Sequence, residues 1–134
     1  MVRIVERVPV ITIERDGVFN SYDAAGVLLA SAEVPMEGVP LATGAVTDLD
    51  SDAFSAASRV LRDMPADMRV QVASVEASSG QDVSIVFNTG LEVFWGDAEE
   101  TQRKVAVLTA MISSLADRAI SSIDVSSPRA PVFR

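Results

Sequence analysis

Glycine-marked reversals between β-branched runs constrain this chain more than any other feature. Residues 2–15 alternate, with Val2, Ile4, Val8, Val10, Ile11 and Ile13 as the apolar set. They read as strand broken at Pro9, which has no N–H to give a ladder. Asp16-Gly17 is a turn, residues 18–22 a second strand, residues 23–26 a turn closing on Gly26, and residues 27–30 a third strand. Hairpins in succession predict an antiparallel meander. The same signature returns later: residues 83–87, the turn Asn88-Thr89-Gly90, then residues 91–95.

Between these hairpins the pattern changes period. Pro35, Gly38, Pro40 and Gly44 punctuate residues 31–47, with a short strand expected at 39–41. Asp50 or Ser51 can cap a helix whose buried face is Phe54, Ala57, Val60, Leu61 and Met64, and Pro65 stops it. Residues 68–73 alternate as a strand. Asp97 and Glu100 have capping-box spacing ahead of a second helix, with Thr101, Val105, Leu108, Ile112 and Leu115 as its buried stripe. Residues 119–125 turn strand-like again, and residues 126–134 read as an extended tail. The sum is an α+β fold, a mostly antiparallel β-sheet with two amphipathic helices. Strands and helices do not alternate as a doubly wound parallel sheet requires.

With 134 residues there is room for one domain, and 49% hydrophobic residues can fill its core. Histidine and cysteine are both absent. That removes thiol nucleophiles, His- or Cys-based zinc sites and every triad that needs an imidazole. Nineteen acids against eleven bases give a net charge of −8, the wrong sign for a phosphate-binding surface. Seven acids and no base lie between Arg15 and Arg59, a solvated negative stretch. Asp48, Asp50 and Asp52 fail as a calcium loop, because the sixth and twelfth positions hold Ala53 and Arg59. They are read as helix-start acids favoured by the dipole. Trp95 is read as a packing anchor. Lys104, the one lysine, is expected to snorkel or to pair with Glu100 one turn back. No catalytic residue, metal ligand or cofactor is expected, and no apolar run approaches the ~20 residues of a membrane helix.

Four segments, in order, resemble the FtsQ/DivIB family of bacterial cell-division proteins. Val2 to Val10 is similar to the family's V-x-E-R-x-P segment, which joins a small POTRA domain to a β-domain. Residues 19–27 resemble its Asp/Gly hairpin. Residues 91–96, followed by Lys104 and Leu108, resemble its strand–glycine–helix element. Ile123-Asp124-Val125-Ser126 with Pro128 and Pro131 resembles its closing strand and proline-bearing tail. The resemblance implies that residues 1–8 are the remnant of the last POTRA strand and residues 9–134 the β-domain. The chain opens directly on strand-like residues, and is read as cut from a longer protein with one N-terminal membrane helix and this domain on the extracytoplasmic side of the cell membrane. The implied role is a non-enzymatic scaffold of the divisome that binds FtsB/FtsL-type partners by strand addition at a C-terminal edge strand. The residues expected to meet the partner are Val125, Ser127, Arg129, Ala130, Val132, Phe133 and Arg134. Pro131 is expected to face inward, leaving Ala130 and Val132 to present their N–H groups outward. The competing readings are a POTRA-type assembly or chaperone domain, and a glycan hydrolase built on two carboxylates.

Overall fold

A computed structural model describes residues 8–116, 119–127 and 131–133. Residues 1–7, on which the expected POTRA strand falls, lie outside the described residues, as do 117–118, 128–130 and 134. Among the described residues, nine strands form one sheet in the order β3-β2-β1-β4-β5-β6-β7-β8-β9. The first three are the expected meander: β1 (Ile11–Arg15), β2 (Val18–Tyr22) and β3 (Leu28–Ala32). Asp16 and Gly17 both take positive φ, as a two-residue hairpin turn demands. The second reversal is held by Asp23, whose Oδ1 accepts the amides of Ala25 (3.0 Å) and Val27 (2.8 Å).

The remaining strands are β4 (Leu41–Gly44), β5 (Val72–Ala77), β6 (Val83–Phe87), β7 (Glu92–Gly96), β8 (Ser122–Asp124) and β9 (Val132–Phe133). Five neighbouring pairs are antiparallel and three, β1/β4, β4/β5 and β7/β8, are parallel. The sheet is thus mostly antiparallel as expected, with two β–helix–β crossovers set into it. Helix α1 (Asp52–Asp63) lies between β4 and β5, and α3 (Thr101–Ser114) between β7 and β8. Both crossovers step along the sheet in the same direction. A right-handed connection therefore puts both helices on one face, and α1 does contact α3.

Register makes the sheet's two faces explicit. One row runs Ala42–Val75–Ile85–Val93–Ile123, every residue buried beneath the helices. The row on the opposite face runs Thr43–Glu76–Ser84–Phe94–Asp124 and is polar apart from Phe94. The expected stripe of α1 is buried in full. Of the two candidate caps Ser51 is the one used: its Oγ accepts the Phe54 amide at 3.0 Å. Ser58 Oγ donates to the Ala24 carbonyl (3.2 Å) and ties α1 to the β2–β3 turn.

Two expectations need correction. The strand foreseen at 68–73 begins only at Val72, and residues 66–69 form a third, one-turn helix, α2 (Ala66–Arg69). Pro65 is the cause: it ends α1 but is also a good helix starter, and its carbonyl accepts the amides of Met68 (3.0 Å) and Arg69 (2.9 Å). The short strand foreseen at 39–41 forms from Leu41 onward, two residues late.

Gly96 closes β7 with φ +86, and a Cβ there would lie 2.9 Å from Ser126 Cβ. Gly17 has φ +81 and open space around it. Gly96→Ala is therefore expected to cost about 2–3 kcal/mol, from backbone strain and a clash, while Gly17→Ala costs about 1 kcal/mol from backbone alone. Urea unfolding midpoints of the two variants check the ranking.

Candidate partner-binding edge

The C-terminal edge is set by how β7 is turned into α3. Asp97 follows β7 in a tight turn, where its Oδ1 accepts the Glu99 amide (3.1 Å). Glu100 then takes a left-handed conformation (φ 54) with no side-chain cap, so the expected Asp97/Glu100 capping box does not form. Lys104 fills the gap. It is 1% exposed, and its Nζ donates to the Asp97 carbonyl and to Asp97 Oδ1, each at 3.0 Å. The lysine's partner is Asp97 rather than Glu100, which pairs with Arg103 instead. Anchoring Lys104 inward rotates the helix. Its buried line is Thr101, Lys104 and Leu108, while Ile112, expected inside, stands exposed. Trp95 is fully buried beside this junction in sequence, as a packing anchor should be.

From α3 the chain enters β8, parallel to β7. The Glu92 amide donates to the Ser121 carbonyl (3.1 Å) and the Val125 amide to the Phe94 carbonyl (2.9 Å). After β8, Asp124 Oδ1 accepts from the Ser126 amide (2.9 Å) and hydroxyl (2.6 Å), turning the chain back. β9 then pairs antiparallel with β8, Ile123 opposite Phe133 and Asp124 opposite Val132. Of the edge expected from Val125 to Phe133, the described residues show a bend at Ser126 and Ser127 and a short strand at Val132–Phe133, and among the described residues β9 is the last strand of the sheet on this side.

The two hydrogen bonds to β7 also fix which way β9 faces. They turn residues 121, 123 and 125 towards β7, so Ser122 and Asp124 face β9, and Val132 faces back at Asp124. Pro131 and Phe133, one residue to either side, are turned outward. The expected arrangement, with Pro131 inward and Val132 outward, is reversed. The side chains split across the sheet: Phe133 (40% exposed) extends the buried row past Ile123, and Val132 (54% exposed) extends the open-face row past Asp124. Beside Phe133 lies a shallow groove of about 390 Å3, lined by Pro131, Phe133, the α3 residues Val107, Ala110, Met111 and Ser114, and Leu115 just after the helix.

The sequence and fold comparisons agree with one another. The family model "Cell division protein FtsQ/DivIB, C-terminal" matches residues 13–126. The chain belongs to the FtsQ/DivIB family. It is 31% identical to the cell division protein FtsQ of Streptomyces bingchenggensis over 97% of its own length and 51% of that protein's. It is 29% identical to FtsQ of Mycolicibacterium smegmatis, covering 99% of this chain and 38% of the relative. The chain thus spans about half the length, or less, of these FtsQ relatives. Its fold is similar to the major extracytoplasmic domain of DivIB from Geobacillus stearothermophilus, with a TM-score of 0.60, 17% identity, and coverage of 86% of this chain and 98% of that one.

Placed on this FtsQ/DivIB fold, the residues expected at the edge separate. Val132 and Phe133 are on it and exposed, and Ser127 is exposed in the turn before it. Val125 is fully buried with its amide bonded to Phe94, so it stands behind the edge. Arg129, Ala130 and Arg134 lie outside the described residues. The α3 groove beside Phe133 went unforeseen, although the uncharged run from Val105 to Ala116 signalled it. The acids Glu33, Glu37, Asp48, Asp50 and Asp52 are all exposed, and no group of three or more that could hold a metal occurs among the described residues.

The hydrogen bond from Lys104 holds the Asp97 carboxyl below its ordinary value. Ser78 and Ser79 do the same for Asp82, and Arg62 for Asp63. A depressed folded pKa adds stability that is present above the unfolded value near 4 and is lost as pH falls through the folded one. Asp97→Asn is therefore expected to flatten, without abolishing, the acid limb of stability against pH. Lys104→Ala is expected to cost about 2–3 kcal/mol, and Lys104→Met, which refills the space, no more than about half of that. Urea titrations across acidic and neutral pH check both.

Proposed function

We infer that this chain is a non-catalytic scaffold of the bacterial division machinery that recruits FtsB/FtsL-type partners by strand addition at β9. The observation that carries this reading is the position of Val132 and Phe133, which end both cross-strand rows at what is, among the described residues, the last strand of the sheet. A strand laid against such an edge gains main-chain hydrogen bonds from the edge groups, and its alternate side chains set specificity. Here one side chain would enter the groove beside Phe133, Val107 and Met111, and its neighbour would lie next to Val132 on the polar face. Membership of a family named for cell division supports the setting. In this reading residues 9–134 are the β-domain and residues 1–8 the end of a POTRA strand. The whole protein is a single-pass membrane protein with this domain outside the cytoplasm. Among the described residues, no helix is long and apolar enough to cross a membrane.

Titration of the folded chain with the extracytoplasmic segment of an FtsB-type protein tests the reading. Val132→Lys and Phe133→Asp are both exposed positions, so circular dichroism and unfolding midpoints are expected to stay near wild type. Each is expected to weaken binding by about 10- to 100-fold. Wild-type binding unchanged by either substitution would move the site away from β9.

A further inference from the structure

Among the described residues the sheet has a second end, at β3. The Thr12 amide donates to the Pro40 carbonyl (2.9 Å), so Thr12 faces β4. Alternation then carries through the meander. Ile11 and Ile13 face β2, Phe19 and Ser21 face β3, and Ala30 and Ala32 face back at β2. Ser31 is left with its N–H and C=O directed away from the sheet. Its hydroxyl donates to Asn20 Oδ1 (2.6 Å), which holds the residue in register.

Edge strands are commonly blunted by proline, by charge or by a bulge. β9 is preceded by Pro131, turned outward. β3 contains neither proline nor charge, and its one irregularity is the register shift opposite Ser21/Tyr22, at its start. Leu28 is 52% exposed, and Val27 and Val34 flank the strand exposed. The far end of the strand is negatively charged. Glu14, two strands in, is in register with Phe19, and Phe19 with Ala32, so Glu14, the turn residue Asp16, and Glu33 just after β3 lie at the same end of the sheet. All three are exposed, and none takes part in the ion pairs found among the described residues. Arg15, the one base between residues 8 and 58, is directed elsewhere, onto the Thr47 carbonyl (2.7 Å).

We propose that β3 is a second strand-addition edge, suited to an extended polypeptide segment whose basic residues lie beside Glu33, at the acidic end of the sheet that Asp16 and Glu14 extend. Added antiparallel, the segment places its amino end there, pairs with the outward groups of Ser31, and leaves β9 untouched. The proposal is independent of what binds at β9.

The test uses amide hydrogen exchange of the folded chain by NMR. The probe is a short alternating Thr/Val peptide with two arginines at its amino end; the control carries two glutamates instead. The arginine peptide is expected to slow exchange at Ser31 and Glu33, equally in wild type and in Val132→Lys. The glutamate peptide is expected to bind about tenfold more weakly. Ser31→Pro is expected to abolish binding, since its amide serves the outer edge and not the β2 ladder. If that variant fails to fold, Glu14→Lys with Glu33→Lys replaces it and is expected to reverse the preference between the peptides. Protection confined to β9, equal affinity for both peptides, or no protection at Ser31 would overturn the proposal. So would concentration-dependent protection of β3 without peptide, which would assign the edge to a second copy of this chain.

Discussion

The handedness of two crossovers governs this molecule. β4–α1–β5 and β7–α3–β8 each join parallel neighbours and each step the same way along the sheet. Right-handed connections then have to place α1 and α3 over one face. One face is buried and the other meets solvent, which explains why the row through Val75, Ile85, Val93 and Ile123 is apolar while the row through Glu76, Ser84 and Asp124 is not. A sheet covered on one face and not closed on itself keeps two ends. The functional readings advanced above both start from that geometry, and side chains enter only in selecting what each end would take.

Within that frame, the junction after β7 determines what the C-terminal edge looks like. Lys104 is a costly residue to bury, and it is accommodated because its ammonium bonds to the carbonyl and carboxylate of a single residue, Asp97. The bond anchors the first turn of α3 against the end of β7 and fixes the helix rotation. That rotation turns Val107, Met111 and Leu115 towards β9 and creates the groove beside Phe133. A change at residue 104 therefore reaches the edge through helix position.

The hairpins were legible because each rests on local chemistry: Asp16-Gly17, Asp23 with Gly26, and Asn88 to Gly90 are turns that the residues themselves demand. The stripe of α1 was legible for the same reason, since its period matches its burial. Parallel pairing was not legible, because nothing local in Leu41–Gly44 says that it inserts between β1 and β5. The rotation of α3 was missed because periodicity counts apolar residues, and here a lysine takes a core position by pairing across seven residues of sequence. At the site, the proline-bearing tail pointed to an edge, which agrees with the position of β9. Which way each residue faces depends on the β7–β8 ladder, a long-range fact that the tail sequence does not carry.

The two ends of the sheet differ in what they offer. At β9 the outward residue Pro131 supplies a carbonyl but no donor, so a strand added there meets an acceptor where an unbroken edge would also donate. Discrimination falls to side chains: an apolar group is needed to continue the Ile123–Phe133 row against α3, next to a residue compatible with Val132 and Asp124. Within β3 no proline breaks the outer row, and in the reading proposed for it the charges of Glu33, Asp16 and Glu14 are the selective feature. In the two proposed readings one end chooses by shape and the other by charge. On those readings two different polypeptides would extend the same sheet without competing.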